Sequence, residues 1–153
     1  MRRPLALLIV LAACAAPPQL HDFDNSFTVQ APLDDAWEAV IDAFGESLWP
    51  IEEMERASGF ISTDWVRITT AQLVAGMDCG RAQGLGSTEG HMARFNVVVR
   101  EQAVGETEIT VNTSLRANRV ALSGGITDVV TCTSRGTIEA FVADEVFRQL
   151  DAP

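Results

Sequence analysis

The chain of 153 residues has no lysine and no tyrosine, only two histidines and three cysteines, and no apolar run long enough to stay in a bilayer. Some of these shortages close off a class of function. All eleven basic residues are arginines, against 21 acids, for a net charge of −10. A chain this acidic binds neither nucleic acid nor anionic headgroups without a local basic patch. Beyond Arg3 the arginines are scattered singly from Arg56 to Arg148, so no nucleic-acid partner is expected. With His21 and His91 the only histidines and no C-x-x-C pair, no metal site and no cofactor are expected. The stretch Gly84 to Gly90 comes near a phosphate-binding glycine loop but lacks its spacing, its lysine and its strand-then-helix setting. Ser87 within it lacks the flanking glycines of a nucleophile elbow.

The N-terminus is informative. Arg2 and Arg3 precede an apolar run from Leu5 to Leu11 that ends in small residues. That is the layout of a secretory signal, and the run is too short for a permanent membrane helix. Leu11-Ala12-Ala13-Cys14 resembles the lipobox of bacterial lipoproteins. The resemblance implies cleavage before Cys14, a diacylglycerol on its thiol and acylation of the new amine. It makes residues 1–13 a signal peptide, 14–25 a lipidated tether and 26–150 a single domain, with the membrane as a partner through Cys14. In that family an Asp after the cysteine favours retention at the inner membrane. Ala15 stands there instead, which implies the periplasmic face of the outer membrane. Removing 13 residues from 153 leaves 140, enough for one sizeable core. Losing two arginines also takes the net charge from −10 to −12.

With Cys14 acylated, Cys79 and Cys132 remain in an oxidising compartment, and a disulfide between them is expected. The alternative, a reactive thiol or a metal pair, has only His91 to support it.

The tether opens with Pro17-Pro18 and carries His21, Asp22 and Asp24, which read as solvated rather than as metal ligands. Ser26 to Gln30 alternates as a first strand. Pro32, then Asp34 and Asp35, open a helix whose stripe is Leu33, Trp37, Val40, Ile41, Phe44 and Leu48. Ile51 to Glu55 reads as a short strand, with Glu52, Glu53 and Glu55 guarding an edge. Phe60 to Thr70 reads as one longer strand, and Ala71 to Met92 as an irregular, glycine-rich loop. Arg94–Arg100 and Glu106–Leu115 form a hairpin, followed by a second irregular stretch from Arg116 to Thr127. Thr133 or Ser134 caps a final helix reaching Leu150. The expected fold is α+β: an antiparallel sheet of about five strands with two helices packed on one face.

Phe27 to Leu33 with Trp37 and Ser58 to Thr63, together with Cys132 to Gly136 leading into the last helix, resemble small envelope lipoproteins with helix-grip-like domains. Among these is the C-type accessory lipoprotein of the β-barrel assembly machine. The resemblance implies a non-enzymatic module that binds another envelope protein through its sheet face or loops, with no catalytic residues to carry over. Helix-grip folds also hold small apolar ligands between the last helix and the sheet, which is the second possibility. The third is a hydrolase built on His91 with Ser87 and either Glu89 or Asp78.

Overall fold

Alternation of apolar and polar residues runs further in the middle of the chain than its glycines suggest, and it builds the axis of the sheet. In a computed structural model, which describes residues 16–81 and 86–152, β6 (Ser87–Ala103) and β7 (Glu106–Val120) pair as one long antiparallel hairpin. On the outer side of β6 lie β3 (Phe60–Thr63) and β4 (Val66–Arg67), with β2 (Ile51–Glu55) beyond β3. On the outer side of β7 lie β1 (Ser26–Val29) and β8 (Ile126–Ser134), with β5 (Met77–Asp78) beyond β8. The main path is β2-β3-β6-β7-β8-β5, and every pairing is antiparallel.

The expected sheet of about five strands with two helices is therefore corrected. The described residues form eight strands and three helices: α1 (Leu33–Glu46), α2 (Ala71–Ala75) and α3 (Thr137–Leu150). The missed pieces are short. β4 and β5 have two residues each and α2 has five, too few to show a period. Both stretches expected to be irregular also lose residues to the long strands. β6 begins at Ser87 and crosses a bulge between Glu89 and Met92, where Gly90 sits, and β7 continues to Val120.

One strand expected to be continuous is broken, and the break resets its faces. Ile61 and Thr63 are buried, and so are Val66 and Ile68, so the inward parity changes between Thr63 and Val66. The change occurs at Asp64-Trp65, where the Asp64 carboxylate accepts the Trp65 amide. Trp65 is thereby left on the face away from the helices.

The core lies between the sheet and the helices. Phe95, Val97 and Val99 of β6, with Ile109, Val111 and Leu115 of β7, meet Trp37, Val40 and Phe44 of α1 and Ile138, Val142 and Val146 of α3. Each such side chain contributes roughly 1.5–3 kcal/mol by leaving water. Trp49, just past α1, stacks on Phe95 with ring centroids 4.4 Å apart and contacts Phe141 of α3 at 5.7 Å. Buried Glu139 in the first turn of α3 accepts the hydroxyls of Thr113 and Ser134. Ser134 Oγ in turn accepts the Gly136 amide. Gly136, with φ +87°, is the N-cap, and Ser134 works two residues before it. Among the described residues no helix is long and apolar enough to cross a membrane.

Candidate functional site

Two features gather chemistry-bearing residues: an N-terminal strap over the disulfide, and the sheet face turned away from the helices.

Cys79 and Cys132 form a disulfide with an S–S distance of 2.03 Å. Cys79 directly follows β5, and Cys132 lies in β8 just before the two residues that pair with β5. The bond therefore clamps a very short edge strand to its neighbour. Asp78, its side chain only 12% exposed, turns outward at this clamp and collects four donors. The Gly80 amide donates to Oδ1 at 2.9 Å. His21 Nε2 lies 2.8 Å from Oδ2, Arg135 lies 3.2 Å from Oδ2, and the Gln19 amide donates to it at 3.4 Å. The Gly80 amide first, then His21, hold the Asp78 carboxyl below the usual carboxylate range, against an opposing push from desolvation.

His21 and Gln19 belong to the segment expected to be a solvated tether. From residue 16 onward that segment lies on the domain as a strap. The Arg81 amide donates to the Ala16 carbonyl at 2.8 Å, and the Thr133 hydroxyl donates to the Gln19 carbonyl. The Val111 amide donates to the Asn25 carbonyl at 2.8 Å. Two glycines make room for it. A Cβ on Gly80 would sit 2.3 Å from the Ala16 carbonyl oxygen, and one on Gly136 would sit 2.9 Å from the Phe23 ring. Cys14 and residues 1–13, expected to be a signal peptide, lie outside the described residues.

The second feature follows from register. Arg67 pairs with Met92, Met92 with Arg116, and Arg116 with Thr131, all on the face opposite the helices. Arg94 and Arg100 alternate with the inward Phe95, Val97 and Val99, so they share that face. Four arginines that look scattered in sequence thus share one face of the sheet. Arg94 pairs with Glu52, and Arg100 stands opposite Glu108. Arg67 and Arg116 have no carboxylate partner among the described residues. The Arg116 guanidinium instead lies 3.9 Å from the Trp65 ring centroid. A shallow groove of about 520 Å³ runs beside this pair, with Ser114, Val129 and Thr131 along it.

The remaining candidates do not assemble. His91 meets the Thr88 hydroxyl at 3.3 Å rather than Ser87, and burial lowers its pKa below the ordinary histidine value. Ser87 and Glu89 are exposed, and Asp78 is committed to the strap. Among the described residues no group of three or more His, Cys, Asp or Glu side chains is arranged to hold a metal ion. No alternation signal could have revealed the strap; its only trace is a histidine ahead of the first strand and a carboxylate beside a cysteine.

No protein-family model matches the chain, and no curated protein matches it significantly.

Proposed function

We propose that the protein is a non-enzymatic envelope lipoprotein, anchored through Cys14, that docks another envelope protein on its uncovered sheet face. The observation that carries this is the Trp65–Arg116 pair. An indole laid over an unpaired guanidinium presents a large amphipathic surface, and Trp and Arg are the residues that anchor protein interfaces most often. Two arginines without carboxylate partners among the described residues, in a chain of net charge −10, favour a partner surface that is acidic and carries apolar groups. The lipobox at Cys14 supplies the address, and the resemblance to assembly-machine accessory lipoproteins supplies the class of partner.

The alternative, a small apolar ligand beneath α3, has little room. Ile138, Val142 and Val146 are each at most 1% exposed, and Phe141 and Trp49 fill the space beside them.

A photo-crosslinking residue placed at Ser114, on the groove, should capture one discrete envelope protein in intact cells. The same residue at Asp144, on the outer side of α3, should not, and Trp65→Ala should reduce the Ser114 product at least tenfold. Equal capture from both positions, or none from Ser114, would overturn the proposal.

A further inference from the structure

We infer that the strap fixes which side of the domain faces the lipid surface: the β5–β8 edge lies against the membrane and the β2 edge points away. This rests on the proposed acylation of Cys14. Ala16 is held by Arg81 and seated over Gly80. One residue, Ala15, separates it from Cys14, and the two peptide steps span at most about 7 Å. A lipid on Cys14 therefore emerges within about 10 Å of the Gly80–Arg81 surface. Were residues 14–25 a free coil, twelve residues would place the domain roughly 20 Å away on average, in any orientation.

The distribution of side chains fits this placement. Leu20 on the strap is 92% exposed and Ile126 of β8 is 67% exposed, so apolar groups lie along this edge. Arg81 and Arg135 stand there as well, beside the strap. The opposite edge, five strand spacings or roughly 24 Å across the sheet, carries exposed Glu52, Glu53 and Glu55. The strap carries exposed Asp22 and Asp24 beside its arginines, so the short reach to Cys14 and the apolar groups, rather than charge, favour this side. Facing the strap edge to the lipid leaves the Trp65–Arg116 face running along the membrane normal, open to a partner alongside.

The test uses the acylated protein reconstituted into phosphatidylethanolamine–phosphatidylglycerol vesicles that contain a nitroxide-headgroup lipid. A fluorophore is attached in turn at Leu20→Cys, Met54→Cys on β2 and Val104→Cys at the tip of the β6–β7 hairpin. All three positions are exposed. Quenching at position 20 should exceed that at 54 and 104 severalfold. Gly80→Ala, which drives a Cβ into the strap, should erase the contrast, and so should Phe23→Ala, which frees the strap at its other end without touching the disulfide loop. Equal quenching at all three positions in a protein whose N-terminal peptide carries the diacylglycerol mass would overturn this inference alone. An N-terminal peptide without that mass would overturn the anchoring proposal and this inference together.

Discussion

The disulfide is the strongest single constraint on the unfolded chain, and its worth follows from its span. Cys79 and Cys132 are separated by 53 residues, for which chain entropy gives about 4 kcal/mol of stabilisation through restriction of the unfolded state. Both cysteines are buried, at 6% and 5% exposure, so alanine is the appropriate replacement and adds no buried hydroxyl. In a domain of this size each kcal/mol moves the midpoint by roughly 3–5 °C, so Cys79→Ala/Cys132→Ala should lower Tm by about 12–20 °C. Differential scanning calorimetry of the unacylated Cys14→Ser protein, with and without the double substitution, measures this. Wild-type protein under reducing conditions should fall to the same midpoint as the double variant. A drop of less than about 5 °C, close to 1 kcal/mol, would show that loop closure is not what the bond contributes.

Two further outcomes follow from the carboxylates of half-buried Asp78 and buried Glu139. Asp78→Asn keeps the shape of the strap site but removes its charge. The Arg81 amide, which donates to Ala16, should then exchange with solvent about 5–30 times faster, the effect of losing 1–2 kcal/mol of charge-assisted bonding. Because folding lowers the pKa of Asp78, its contribution is complete above about pH 4 and is lost as the pH falls through the lowered value, so wild type and variant should converge only in strong acid. Unequal protection at neutral pH is the expected sign, and equal protection would refute the role of the charge. Glu139→Ala leaves the Thr113 and Ser134 hydroxyls without their acceptor inside the helix–sheet interface, and should cost about 2–4 kcal/mol in chemical denaturation with the slope unchanged.

How far the sequence reaches depends on element length. The stripe of α1 and the alternation of Phe95, Val97 and Val99 span enough residues to show a period, and both meet in the core, except that Leu48, expected at the end of the stripe, lies beyond the helix and is 87% exposed. Setting Cys14 aside leaves Cys79 and Cys132 as the pair expected to bond in an oxidising compartment, and they form the disulfide. β4 and β5, at two residues each, exist only because a neighbouring strand offers them hydrogen bonds, which no local pattern encodes. The parity change at Asp64-Trp65 is invisible for a related reason. Both parities carry apolar residues, and only the burial of Val66 and Ile68 against the helices decides between them. The arginine face is the same effect on a larger scale, since Arg67 and Arg116 become neighbours only through the register of three strands.

The strap shows why its anchoring site depends on the disulfide. Fixing each strap residue costs roughly 1–2 kcal/mol of backbone entropy, and the strap gains a handful of hydrogen bonds with little buried apolar surface besides Phe23. Such a segment docks only on a surface that is already ordered. That surface consists of Asp78, Gly80, Arg81 and Thr133, which flank the two half-cystines. A two-residue strand holds them too weakly on its own. The covalent bond thus supports the sheet edge, the edge supports the strap, and the strap would set how close the domain sits to the lipid proposed on Cys14. Reduction should therefore release the strap under conditions where the β6–β7 hairpin and the helices on it stay folded.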